Sequence, residues 1–433
     1  MKQPPLIIPD RVDVPAAVEQ TLANGVKLYM LACDEFEVVR MTFVFHAGVS
    51  MQKKPFTASA TANLLGEGTV AFDSVEIAER LDYYGSWFDV NIDRDYVYVT
   101  FCSLRKFFAQ TAEVAEQIIL HPVFPEKEVA TYCAKRRQQL AVERRKIDTV
   151  VREAFARALF GAEHPYGMSS EERCYDDVRR DDLAELYARL YTADNCFVVC
   201  SGRLDESVVE RVRGMAQALP AMGMRDEAAF PSPSTRHRVH VGFPSAVQSA
   251  IRIGRMLFDR RHPDFVGMQV VATVLGGYFG SRLMQNLRGR HGYTYGVMAA
   301  MVNFDRAGYL AIATQVASEH TADALREIYA EIERLREELV PQEELSIVKR
   351  MMIGEMMRIL DGPFGVADVT IENILCGMDN SATAEAVDTI LSTTPEDIRR
   401  LARQYLARED LVETVVGQPF AEAEGSAAEP AAR

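Results

Sequence analysis

The sequence predicts an α+β protein made of two homologous sandwich units, each an antiparallel or mixed sheet faced by helices. Three observations predict it. The order of strand-like and helix-like stretches in residues 1–220 recurs in 237–420. Within each unit, strand pairs and helix blocks segregate rather than alternate strictly. Between the units, 221–236 breaks every periodicity with prolines, serines and mixed charge, as a linker does.

The first unit opens with alternating apolar runs at Val26–Cys33 and Val38–Ala47, which read as strands. Helical spacing follows at 57–66 and 74–84. Two alternating runs around a polar turn in 86–104 then predict a hairpin. Helical stretches cover roughly 105–120, 126–160 and 179–191, and Asn195–Ser201 closes the unit as a short apolar strand. The second unit repeats the plan, with a strand at Val247–Phe258 and helices near 262–275 and 281–289. A hairpin over 295–316 precedes helices near 319–337, 342–360, 364–376 and 394–407, and Leu411–Val416 is the closing strand. NCFVVCSG and DLVETVVGQ occupy equivalent places at the two ends.

The 433 residues suffice for two domains with sizeable cores, at 48% apolar and 25% charged content. A formal charge of -14 disfavours nucleic acid and anionic membrane as partners. No apolar run is long enough for a membrane span. The prolines and Asp10 of the opening residues interrupt any signal core, so no targeting segment is read there. Seven scattered cysteines, an odd number, fit buried free thiols in a reducing, cytoplasmic setting; Cys196 and Cys200 share a strand face as core thiols. The Ala-, Glu- and Pro-rich stretch 421–433 reads as a disordered tail.

The sharpest segment is GGYFGSRLMQNLRGRHGYTYGV, residues 276–297, a glycine-rich turn leading into a basic amphipathic helix and then a strand. Its glycines permit close backbone approach, and it lacks the strand–GxGxxG–helix or GK[ST] context of a phosphate cradle. Other candidates read as structural. His46 ends a strand, His164 sits in an HPYG turn, and His237 and His240 lie in extended chain, where a three-residue spacing chelates poorly. The basic run 135–146 reads as a solvated helix face, and Met351, Met352, Met356 and Met357 as core packing.

Residues 276–297 resemble the C-terminal signature of the pitrilysin–insulinase (M16) peptidases at Ser281, Arg282, Leu283, Leu287, Arg288 and Tyr295. The resemblance implies a duplicated LuxS/MPP-like metallohydrolase fold. It also implies that Arg288 and Tyr295 reach a zinc centre in an opposing domain, polarise the substrate carbonyl and steady the tetrahedral intermediate. Ser281 and Arg282 would sit on the substrate side. The family's inverted zincin motif, H-x-x-E-H, holds Zn²⁺ through two His and activates water through the Glu. Here the surrounding text is present in 43–69, with Ala47-Gly48 and Gly68-Thr69, but the His, Glu and His positions fall on Ser59, Ala62 and Asn63. The third ligand falls on Gln138 or Gln139, neutral amides that balance no metal charge.

The resemblance therefore implies a zinc-less subunit, inactive alone, with no cofactor of its own. It would pair with a zinc-bearing homologue as a heterodimer, or with itself as a homodimer, to cleave unfolded peptides. A non-enzymatic peptide-binding or structural role is the alternative, and an active peptidase with a displaced metal site is a remoter one.

Overall fold

The computed structural model describes residues 12–221, 230–420 and 427–430. Among these, β1 Val18–Thr21 and β2 Lys27–Ala32 form a hairpin, followed by β3 Val38–Phe45, α1 Thr57–Asn63 and α2 Ser74–Tyr83. The hairpin of β4 Trp87–Ile92 and β5 Val97–Leu104 comes next, then α3 Phe108–Leu120, α4 Glu126–Glu143, α5 Ile147–Phe160 and α6 Arg180–Leu190. The unit closes on β6 Cys196–Gly202 and α7 Glu206–Gln217. The second unit contains β7 Arg238–Gly242, β8 Gln248–Leu257, α8 Phe265–Ala272, β9 Val297–Asn303 and β10 Gly308–Ala317. After them come α9 Thr321–Glu337, α10 Gln342–Ile359, α11 Gly362–Leu375, α12 Ser381–Ser392, α13 Pro395–Tyr405, β11 Val412–Gly417 and β12 Ala427–Pro430.

The duplication is visible in the sheets. One runs β1-β2-β6-β3-β5-β4 and the other β12-β7-β11-β8-β10-β9. In each, the strand that closes its unit enters the middle of the sheet, parallel to one neighbour and antiparallel to the other. Gly202 ends β6 with φ +104°, and a Cβ there would lie 2.0 Å from the Val38 carbonyl oxygen. Glycine is the residue that tolerates both the dihedral and the approach.

Some expectations shift. The helical stretch 126–160 is two helices, broken at Arg144–Lys146. Arg144 turns inward at the break and binds Glu153, Glu172 and the Ser170 carbonyl. Helices α7 and α12 were not foreseen. Asp205 caps α7 by accepting a hydrogen bond from the Val208 amide at 3.1 Å. Half of the linker reading, 222–229, lies outside the described residues, as do the opening residues 1–11. Of the tail expected to be disordered, only 427–430 are described. They run extended beside β7, whose outer edge offers unpaired backbone groups.

Strand β3, buried along nearly its whole length, shows how the units are joined. One face packs into the first unit's own core. On the sheet's other face, Tyr29, Leu31, Val44 and Val199 pack against Ala367 and Ile371 of α11, a helix of the second unit. The exchange is reciprocal: α5 leaves the first unit and lays Val151, Phe155 and Leu159 on Val239, Ala250 and Val416 of the second sheet. An ion pair accompanies each crossing, Arg40 with Asp368 and Arg252 with Asp148 at 3.8 Å. Burial of both faces is the reason these strands read as continuous apolar runs.

Between the units sits Asp95, 3% exposed. It accepts from Ser50 Oγ at 2.9 Å, Tyr166 OH at 2.7 Å and the Asp305 amide at 2.9 Å. Burial raises its carboxyl pKa. Tyr166 and His164 belong to the HPYG turn, where His164 Nδ1 accepts from the Tyr166 amide at 3.1 Å. His164 and His240 are both buried, which lowers their pKa values below the ordinary 6.5. A histidine held neutral stabilises the fold fully above its unfolded pKa. That contribution is lost as pH falls from about 6.5 toward the depressed folded value. Thermal stability is thus expected to drop below about pH 6.5, and more shallowly in the doubly substituted protein His164→Phe, His240→Phe. Equal slopes in the two proteins, followed by calorimetry from pH 7.5 to 5, would contradict this assignment.

Candidate functional site

The helix at the family's zinc-binding position is α1. Its candidate residues have other engagements. Ser59 Oγ donates to the Phe56 carbonyl at 3.0 Å, and Asn63 Nδ2 donates to the Ser59 carbonyl at 2.7 Å. Ala62 is fully buried and brings only a methyl group. Across from them, Tyr132 of α4 donates its hydroxyl to the Ser59 carbonyl at 3.2 Å, and burial pushes that phenol up to about 12. Beside it Phe56 stacks on Tyr175 with ring centroids 3.9 Å apart. Further along α4, Gln139 Oε1 accepts from Arg136 Nη1 at 3.0 Å, while Gln138 points to solvent. A hydroxyl, a methyl and neutral amides do not make a zinc donor set. Among the described residues, no group of three or more His, Cys, Asp or Glu is arranged to hold a metal ion.

The second unit's signature segment is built differently. A π turn, Thr273–Gly277, extends α8, and another spans Met284–Arg290. Such turns push backbone outward and recur at functional sites. Between them the glycine-rich loop runs close to β9: a Cβ on Gly276 would lie 2.7 Å from the Ala299 amide nitrogen. Leu283 and Leu287 are fully buried and anchor the turn in the core. Asn286 adds a second anchor, donating to Glu331 Oε1 at 2.8 Å and Glu327 Oε2 at 3.0 Å.

The four sequence-predicted site residues part company here. Tyr295 is 90% exposed and lines a cleft of about 670 Å³, together with Phe279, Met298 and the glycine loop. Arg288 stacks its guanidinium over the Phe279 ring at 4.6 Å, which places it beside that cleft with its donors turned outward. Ser281 and Arg282 do not join them. Ser281 is 1% exposed, and Arg282 makes a two-pronged pair with Glu344 of α10 at 2.8 and 3.0 Å. The expectation that these two face a substrate does not fit their burial: Arg282 ties the loop to α10 from within, and Ser281 lies buried next to it. Phe279 was missed, although an aromatic in the glycine-rich turn, two residues before Ser281, is a readable signal. Nothing in the sequence pointed to Glu344, 62 positions from its partner.

The remaining candidates fall into structural places. His46 stacks near Tyr96, and His237 Nδ1 lies 3.4 Å from the Leu411 carbonyl. All seven cysteines are free, and burial pushes the Cys200 thiol up to about 12. Arg137 of the basic run pairs with Asp176, and Met352 and Met356 pack on the second core while Met357 is partly exposed. No helix among the described residues is long and apolar enough to cross a membrane.

A family model described as the peptidase M16 inactive domain matches residues 177–352, a span that holds the whole signature. Over that span the chain is similar to the M16 peptidases. The chain is 21% identical, over 79% of its length and 84% of the other, to an uncharacterized zinc protease of Bacillus subtilis called YmxG. It is 22% identical to a protein of Helicobacter pylori called non-peptidase homolog YmxG, over 74% of its own length and 76% of the relative's. Its fold matches the crystal structure of a peptidase M16 inactive domain from Pseudomonas fluorescens with a TM-score of 0.86 and 21% identity. That match covers 94% of this chain and 99% of the other. The family match does not include α1, so the loss of the zinc donor set rests on the side chains of α1 and α4 themselves.

Proposed function

We propose that this chain is the zinc-less subunit of an M16-type peptidase, completing the site of a zinc-bearing homologue for hydrolysis of unfolded peptides. The observation that carries the reading is a contrast between the two units. Where a metal would sit, α1 offers Ser59, Ala62 and Asn63, yet the second unit leaves Tyr295 and Arg288 facing outward beside an open cleft. A phenol and a guanidinium with no partner in the core suit an oxyanion that develops on another chain. In that assembly the partner supplies the metal and the general base. This chain orients the substrate carbonyl through Arg288 and Tyr295 and contributes wall.

Purified alone, the chain is expected to show no peptidase activity with or without added zinc. Coexpression with an M16 homologue bearing HxxEH should give a complex that cleaves an unfolded reporter peptide. Turnover by the isolated chain, or no gain in activity within a stable complex, would sink the proposal. A purely structural or peptide-binding role is the second reading. It is favoured by the same α1 side chains and by the printed name of the Helicobacter pylori relative. Under it, peptide binds but the complex gains no turnover.

A further inference from the structure

Arg252 of β8 also lines the cleft of Tyr295, and the shared-site scheme leaves it without a task. In the second sheet Arg252 pairs with Ala313 of β10, which pairs with Met298 of β9, so the three side chains share one face. Asp148 and Val151, in the first turn of α5, border the cleft there. The guanidinium of Arg252 is short of acceptors. Asp148 stands 3.8 Å away, longer than a hydrogen bond, and is held closer by Arg152, at 3.4 Å. Arg252 Nε is buried with no hydrogen-bond partner among the described residues. Burial lowers the pKa of this guanidinium, as it does for a charge that has lost water without gaining a full partner. One carboxylate thus serves two arginines, and Arg288 beside the cleft adds a further positive charge. This spot is positive on a chain whose formal charge is -14. The groove beside β4 and Trp87 has the opposite balance, with Asp89, Asp93, Asp368 and Glu372 around Arg40.

We propose that Arg252 is a specificity-determining residue, receiving the carboxylate of an acidic side chain near the peptide bond to be cleaved. The inference rests on the reading that a peptide meets this chain at Tyr295, and it adds which peptide. A guanidinium presents planar, paired donors that match the two oxygens of a carboxylate. The incoming Asp or Glu makes the close contact with Arg252 that Asp148 does not, while Asp148 stays with Arg152. A neutral side chain in that place leaves Arg252 desolvated and unpaired, and a basic one adds a like charge. Discrimination therefore has an attractive and a repulsive part. Two strand spacings, about 10 Å, separate Met298 from Arg252 across the sheet. About three residues of extended chain cover that span. Tyr295 lies just before β9, so the acidic position falls about three or four residues from the scissile bond.

The full chain, without any partner, is titrated by calorimetry with three twelve-residue unfolded peptides. They are otherwise neutral and differ at one central position, which is Glu, Gln or Lys. The Glu peptide is expected to bind about tenfold tighter than the Gln peptide, and the Lys peptide more weakly than either, with the margin narrowing as salt is raised. Arg252→Gln should bring the Glu peptide down to the affinity of the Gln peptide and leave the Gln peptide's own affinity unchanged. A general loss of structure would weaken both alike. Asp148→Asn, which removes the competing carboxylate, should strengthen binding of the Glu peptide, and it decides the matter where Arg252→Gln does not fold. Equal affinity for the Glu and Gln peptides, or no binding of either, overturns the proposal. A Glu preference that survives Arg252→Gln, or an Asp148→Asn protein that binds the Glu peptide no tighter, overturns it too. Because no partner is present, the two readings fail separately. Restored hydrolysis without a Glu preference removes the Arg252 subsite and leaves the shared site. A Glu preference without restored hydrolysis does the reverse.

Discussion

Arg288→Ala, introduced into the assembled complex, is expected to lower kcat by about 100-fold while moving KM only a few-fold. A donor aimed at the charge that develops in the transition state acts on kcat, because the ground-state carbonyl carries little of that charge. Tyr295→Phe removes one hydroxyl and should produce a smaller loss of the same kind. Both side chains lie outside the core, Tyr295 at 90% exposure and Arg288 stacked on Phe279, itself 70% exposed. The melting temperature should therefore stay within a degree or two of the parent's, since surface changes move stability by about 0.5 kcal/mol or less. The comparison with Arg282→Ala is informative. That change strips a buried pairing with Glu344 and is expected to lower stability first. If Arg288→Ala leaves the complex's kcat intact, the shared-site scheme loses its chemical basis.

The largest structural effect concerns the crossed helices. Residues 12–221 produced alone are expected not to hold a cooperative fold. Without the second unit, α5 loses the sheet under Val151, Phe155 and Leu159, and the first sheet loses the cover of Ala367 and Ile371. Two apolar faces would be bared at once, each of a kind that soluble monomers seldom display. The same logic reaches single residues: Phe155→Ala, deep in the shared layer, is expected to cost about 3–5 kcal/mol. Near-ultraviolet dichroism and a melting curve check the first prediction. A sharp transition in the isolated half would show that each unit stabilises itself and that the crossing contributes little.

The predicted duplication stands because it rests on hydrophobic period, which is a local property. Strands β2 to β6 and β8 to β11, both hairpins among them, fall where alternation placed them, shifted by a residue or two at their ends, whereas β1, β7 and β12 were not foreseen. The break between α4 and α5 was illegible because Arg144–Lys146 continue a helical charge pattern; the turn is imposed by contacts to Glu153 and Glu172. Helix α7 could have been found, since Asp205 followed by Val208, Val212 and Met215 is a cap with a helical stripe. At the site, the spacing from Ser281 to Tyr295 announced all four candidates equally. Nothing local distinguishes the exposed Tyr295 from the inward Arg282.

By itself, then, the chain's order of residues determined the repeated unit and the hydroxyl, methyl and amide that stand at Ser59, Ala62 and Asn63. Both follow from side-chain identity and period, and no partner is needed to state them. Tertiary structure alone decided which unit's helix covers which sheet and that Arg282 turns to Glu344 while Arg288 stacks outward. It also decided that Trp87 and Asp89 share a groove with Asp368 and Glu372 of the other unit. Those outcomes depend on pairs of residues far apart in the chain. Burial and charge choose such pairs only once the two units have closed on each other.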